Sequence, residues 1–164
     1  MVNGASPRLP GPVRLLLRIP VPWVFVLGYL AGVVVEAASG VPARGLQLSH
    51  VRLVGAVVFA IGAVLAAWGL LTFRKARTTT VPGERSSQLV MRGPYRFTRN
   101  PMYVGLTLAY IGEAGILAQV WPLVLLPLVI AYVHWVVIPL EESTLADAFG
   151  PAYEQYRARV RRWL

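Results

Sequence analysis

The stretch VRLVGAVVFAIGAVLAAWGLLTF, residues 51–73, contains no charged side chain after Arg52. An α-helix rises about 1.5 Å per residue, so some twenty residues of this kind cross the ~30 Å hydrocarbon core of a bilayer. Three further apolar stretches lie on either side of it, at 19–38, 102–118 and 121–140. The stretch 102–118 is the shortest and carries Glu113. Residues 118–121 leave room only for a tight hairpin before the last stretch. The pattern predicts an all-α integral membrane protein with about four transmembrane helices in a single membrane domain, 1–164.

Composition agrees. Of 164 residues, 56% are hydrophobic and 14% charged, against roughly 25% charged in an average soluble domain. Cysteine is absent, which excludes disulfides, zinc–thiolate sites and cysteine nucleophiles, and no metal-binding set is expected. A net charge of +9 suits either nucleic acid or anionic lipid, and the long apolar runs decide for lipid. Arg8, Arg14 and Arg18 precede the first apolar run, which lacks a small-residue cleavage site. A retained helix, not a secretion signal, is therefore predicted.

Charge also predicts orientation. With the N-terminus inside, fourteen basic residues fall on inside segments, among them Arg74, Lys75, Arg92, Arg96, Arg99 and the four arginines of 157–162. Only Arg44, with Arg52 at the edge, falls outside. The positive-inside rule then places both termini in the cytoplasm, and the expected location is a bacterial inner membrane.

Two regions are not spans: the loop 74–101 and the tail 141–164. The loop carries turn signals at Pro82-Gly83 and Gly93-Pro94. In the tail, Gly150-Pro151 ends one helix and opens the next. Beyond it, Tyr153, Tyr156, Val160 and Trp163 recur at helical spacing. They predict a C-terminal amphipathic helix, lying on anionic lipid or lining a pocket.

Several polar residues are candidates for chemistry. Glu141 and Glu142 end the fourth span, where the helix dipole and lipid headgroups both disfavour carboxylates. A cationic group or a hydroxyl donor is expected to compensate, and the nearby arginine-rich loop or a cationic ligand could serve. His134 lies seven residues earlier, almost two turns, and is expected on the same face as Glu141. It either bonds a neighbouring helix or lines a pocket. Pro139 lies between them and would free the carbonyl of Trp135. Glu36 and Glu113 read as snorkelling or helix-pairing groups. The segment RGPYRFTRNPMYVG, 92–105, combines three arginines with tyrosines and turn residues at the mouth of the third span. It predicts a pocket for an anionic group, or a collar for lipid headgroups.

Together, GPYRFTRNPMYVG, a hydrophobic hairpin and EESTLADAFGPAYEQYRARV resemble the isoprenylcysteine carboxyl methyltransferase and phospholipid methyltransferase superfamily, notably its short bacterial members. The resemblance covers about residues 75–164. It implies S-adenosylmethionine as methyl donor, bound at the cytoplasmic face. By the same resemblance, the cofactor contacts are Ser87, Gln88, Leu89, Val90 and Tyr95, then Arg99, Asn100, Pro101, Met102, Tyr103 and Gly105, and finally Glu141 and Glu142. Two positions depart from the family pattern. Its histidine is Asn100 here, which can hydrogen-bond but cannot act as a cation or strong base. A substrate-binding arginine of the eukaryotic prenylcysteine enzymes falls on Val137.

The expected reaction is methyl transfer to a lipophilic acceptor, a carboxylate or an amine, dissolved in the membrane. The candidate catalytic residues are Arg99, Asn100 and His134: Arg99 and the backbone of its motif would hold the methionine carboxylate of the donor, Glu141 its amino group or ribose hydroxyls, His134 would orient the acceptor, and His134 or a glutamate would take a proton. Two rival readings are a sterol-reductase-like enzyme using NADPH and a non-enzymatic relative of the family.

Overall fold

The computed structural model describes residues 20–40, 48–76 and 88–164. Ser87 lies outside the described residues. Among them, helix α1 spans Val21–Ser39 and α2 spans Ser49–Lys75. A 3-10 turn, Gly93–Arg96, leads to α3, Pro101–Leu117. Helix α4, Trp121–Tyr132, continues through a π-helical turn, Val133–Val137, into α5, Ile138–Phe149. Helix α6, Pro151–Arg159, closes the order. The result is an all-α membrane protein. Helices α1, α2 and the continuous run Trp121–Phe149 are long and apolar enough to cross a bilayer, and α3 is a shorter apolar helix.

The fourth apolar helix is longer than its hydrophobic stretch. It runs to Phe149, so Glu141 and Glu142 sit on a helix body and not at the start of a tail. A second difference concerns the expected amphipathic helix. It ends at Arg159, and Val160 is extended (φ −119°, ψ 129°). Val160 and Trp163 therefore do not continue the stripe of Tyr153 and Tyr156. Those two tyrosines are buried in the protein, where they pack on protein and not on lipid. Gly150, between the helices, has φ 49° and ψ −124°, a conformation open almost only to glycine.

Two helix pairs build the bundle. Helix α2 buries only Gly55, Gly62 and Gly69, seven residues apart, while its larger apolar side chains face outward. Opposite lie Gly105 and Gly112 of α3, also seven apart. A Cβ at Gly105 would sit 2.5 Å from the backbone nitrogen of Ala66, and one at Gly55 would sit 2.8 Å from the carbonyl oxygen of Gly112. The backbones therefore meet directly. In lipid, where apolar side chains gain nothing by leaving their surroundings, such close packing is what holds helices together.

Helix α1 packs on α4 in the same way. A Cβ at Gly32 would lie 2.6 Å from the backbone of Pro122. At this end Glu36 pairs helices, as its sequence position suggested. Its Oε2 accepts the N–H groups of Val120 and Trp121, at 2.8 and 3.0 Å. These are free donors at the start of α4, and a carboxylate there also meets the positive end of the helix dipole. Glu36→Ala should cost about 1.5–3 kcal/mol, the range for hydrogen bonds to a charged group, while Glu36→Gln should keep part of it. Thermal unfolding in detergent measures the difference. Tyr29 and Tyr110 tie the same region, donating to Gln119 Oε1 at 2.8 Å and to the Pro122 carbonyl at 2.9 Å.

Helices α3 and α4 are joined by a turn in which Ala118 has left-handed backbone (φ 55°, ψ 47°). Away from this turn the two helices share few contacts. At the arginine-rich end polar groups link the start of α3 to α5, and these form the candidate site.

Candidate active site

The motif 92–105 folds in three steps. Gly93 takes φ 59°, which turns the chain, and Pro94 and Tyr95 are buried in the 3-10 turn behind it. Residues 97–100 then cross to α3, which opens with Pro101 at its first position, where a missing N–H costs nothing. Asn100 occupies the N-cap but does not cap the helix. Its side-chain amide donates instead to the carbonyl of Arg162, 2.8 Å away.

The paired glutamates take different partners. Tyr103, in the first turn of α3, donates its hydroxyl to Glu141 Oε1 at 2.6 Å. Among the described residues nothing donates to the second oxygen of Glu141. Glu142 is held by two guanidinium groups. Arg99 Nη2 lies 2.9 Å from Oε1, and Arg162 Nη2 lies 2.5 Å from Oε2. The compensation that two carboxylates on one helix require therefore comes, at Glu142, from arginine.

Arg99 does more than pair. Its Nη1 donates to the carbonyls of Arg157 and Val160, at 3.0 and 3.2 Å. Its backbone N–H donates to Arg161, and the Thr98 hydroxyl to Arg162. The side chain is 10% exposed. Its terminal nitrogens are thus engaged within the protein, and only Nε is buried without a partner among the described residues. The Tyr95 hydroxyl is the other such atom. Burial, then the charges of Tyr156 and Glu141, push the Tyr95 phenol far above its ordinary range, so it remains a neutral hydroxyl able to donate. Tyr156 supports it from α6, donating to the Tyr95 carbonyl at 2.8 Å.

His134 does not share a face with Glu141. Pro139 has no N–H to bond the carbonyl of Trp135, and its ring would crowd that carbonyl in a regular helix. The helix widens instead, and the N–H of Ile138 reaches back five residues to Val133. That wider turn shifts the angular register between 134 and 141. His134 stacks on Trp163, whose indole N–H donates to Nδ1 at 2.9 Å. An indole N–H can only donate. In the neutral ring the proton is therefore on Nε2, and in this arrangement His134 can offer a proton but has no free nitrogen to accept one.

The structure thus gathers Tyr95, Arg99, Asn100, Tyr103, Glu141 and Glu142 at one end of the bundle. Gln88, Leu89 and Val90 lie just before the 3-10 turn that carries Tyr95. With Thr72, Lys75 and Arg92 they line an open cleft of about 320 Å³ at the end of α2. Gly105 faces the α2 backbone in the helix seam, Met102 packs against Gly69, and Pro101 is buried. Val137, in place of an arginine, is 2% exposed within the apolar core. Thr98 and Arg162 were not singled out from sequence, and Tyr156 and Trp163 were read only as part of an amphipathic stripe. Their roles depend on backbone carbonyls and distant partners, which residue spacing does not reveal.

Residues 51–152 match the phospholipid methyltransferase family, and the chain belongs to it. The match begins with α2, upstream of the motifs that first suggested the likeness, and ends in the first turn of α6. Among curated proteins, a probable protein-S-isoprenylcysteine O-methyltransferase of Oryza sativa subsp. indica is 30% identical over 112 residues, covering 67% of this chain and 59% of the rice protein. The protein-S-isoprenylcysteine O-methyltransferase of Schizosaccharomyces pombe is 36% identical over 72 residues, 44% of this chain and 30% of the yeast protein. The matched region thus spans under two thirds of either relative.

Proposed function

We propose that this protein transfers a methyl group from S-adenosylmethionine to a lipophilic acceptor, a carboxylate or an amine, presented by the bilayer. The observation that carries the reading is the meeting of Tyr103 with Glu141 beside the buried hydroxyl of Tyr95, which has no partner among the described residues, in a member of the phospholipid methyltransferase family. This set fits a donor that carries an ammonium group, a sulfonium and ribose hydroxyls. A carboxylate with an open oxygen suits the cations or the hydroxyls, and a neutral phenol can donate to an oxygen.

When bound, the donor supplies an already activated methyl group. The protein's task is then alignment and exclusion of water. Tyr103 fixes the rotamer of Glu141, so the open oxygen points in one direction. Tyr95, braced by Tyr156, holds its hydroxyl without reorganisation. Arg99 acts one step back, keeping Glu142 and the segment after α6 in place. Val137 offers nothing to the carboxylate of a prenylcysteine, which argues against that acceptor. An amine acceptor must lose a proton, and His134, whose Nδ1 already accepts the Trp163 indole N–H, has no free nitrogen to take it.

The arginine distribution supports a cytoplasmic donor site, with the acceptor entering sideways between α3 and α5. Titration of the purified protein with S-adenosylmethionine should give saturable binding, with none for NADPH. Tyr103→Phe should weaken it roughly tenfold, the loss of one hydrogen bond to a charged group. Incubation with labelled donor and lipid extract should yield a labelled lipid. A folded sample that binds no donor in detergent or in lipid would refute the proposal.

A further inference from the structure

Residues 160–164 leave α6 as an extended strap that crosses from α3 to α5. Its main chain is gripped from one side by residues 98–100, whose donors take the carbonyls of Val160, Arg161 and Arg162. Its side chains are gripped from the other. Arg162 binds Glu142 through Nη2 at 2.5 Å and Nε at 3.2 Å, and Trp163 binds His134 at 2.9 Å. The strap therefore joins the residues that lead into α3 to α5 and the π turn before it.

The charges at Glu142 are uneven. One carboxylate faces two guanidinium groups, leaving the cluster with one net positive charge. Arg99 alone would neutralise it, and Arg99 is the more deeply held partner: its side chain is 10% exposed, that of Arg162 29%. A cationic ligand approaching Glu142 finds the place beside its second oxygen already taken by Arg162. Once Arg162 leaves, it meets a neutral pair with an open carboxylate oxygen.

We propose that Arg162 is an internal stand-in for a cationic ligand group: it occupies Glu142 where the donor's ammonium would bind, and the strap must lift for the donor to enter. The inference rests on the proposed donor. Exchange of one cation for another leaves the charge of the cluster unchanged, which makes the swap easier than insertion of a new charge into a partly buried place. Four of the strap's five hydrogen bonds other than those of Arg162 join neutral groups, and its one side chain packed against the core, that of Trp163, is only partly buried.

The absence of cysteine from the chain permits a direct test. Leu164→Cys carrying a spin label reports strap mobility, and calorimetry with S-adenosylmethionine reports affinity. The strap should be immobile without donor and become mobile on its addition. Arg162→Gln should raise donor affinity roughly three- to tenfold, the scale of a partly exposed ion pair, while Arg162→Lys should stay near the unmodified protein. Trp163→Phe removes the indole donor without touching Glu142 and should shift both readouts in the same direction by less. Donor binding that is unchanged or weaker in folded Arg162→Gln, with a label that stays immobile, would overturn the strap inference and leave the donor reading intact. If neither protein binds the donor, the donor reading fails and the strap inference falls with it.

Discussion

Gly62→Leu is expected to abolish the folded state, whereas Ala63→Leu, one residue further along the same helix, is expected to be tolerated. A Cβ at Gly62 would contact the backbone nitrogen of Ala109 and lie 2.6 Å from the carbonyl oxygen of Gly105. Both are main-chain atoms of α3, which cannot rotate away as a side chain could. Leucine would force the two backbones apart along the seam, because Gly55, Gly105 and Gly112 are matched to the same short separation. Overpacking of a core by single methylenes already costs about 1–3 kcal/mol. A full leucine side chain at a backbone contact should exceed that, with no hydrophobic gain in lipid to offset it. Ala63 is exposed on the outer face of α2, where leucine meets lipid. Gly62→Ala should fall between the two. Size-exclusion profiles and thermal unfolding in a mild detergent distinguish the three variants.

This seam was present in the sequence but was not read. Residues 51–73 announce a membrane span through hydrophobicity alone, and that signal is blind to which face is buried. The heptad spacing of Gly55, Gly62 and Gly69, echoed by Gly105 and Gly112, is the pattern that would have shown it. The three long apolar helices were legible because a bilayer imposes both a length and a lack of charge. The extension to Phe149 was not, because polarity marks where a helix leaves the apolar layer and not where its hydrogen bonding stops. The π turn had a visible cause in Pro139, yet its consequence, the parting of His134 from Glu141, depends on how the backbone relaxes around the ring.

The candidate site was legible in part. Motif and paired glutamates were recognisable as a unit, and Tyr103, Arg99, Glu141 and Glu142 do converge. Their division of labour was hidden. From sequence, the arginines of the tail look like a solvated basic collar, and only the fold shows one of them seated on Glu142. Backbone carbonyls have no sequence signature at all, so the grip of Thr98, Arg99 and Asn100 on residues 157–162 was beyond reach.

That grip leads to the second large effect. Arg99→Ala should destabilise the protein by about 3–5 kcal/mol, the loss of three hydrogen bonds donated by a charged group at about 1.5–3 kcal/mol each, partly relieved by the Arg162 that stays on Glu142. It would leave the carbonyls of Arg157 and Val160 without their side-chain donor and strip Glu142 of its more buried cation. Arg99→Lys should restore little. A guanidinium spreads its donors over a fixed planar fork, so Nη1 serves two carbonyls while Nη2 serves a carboxylate. An ammonium is a single point on a flexible stem and cannot reach both sides at once. A simple charge role, such as holding the carboxylate of a ligand, would instead be largely met by lysine. Thermal unfolding of the two variants, with the mobility of a label at position 164, separates these cases. Rescue of both readouts by lysine would show that Arg99 acts as a charge, and failure of lysine to rescue either would show that it acts as a clamp on the chain beyond α6.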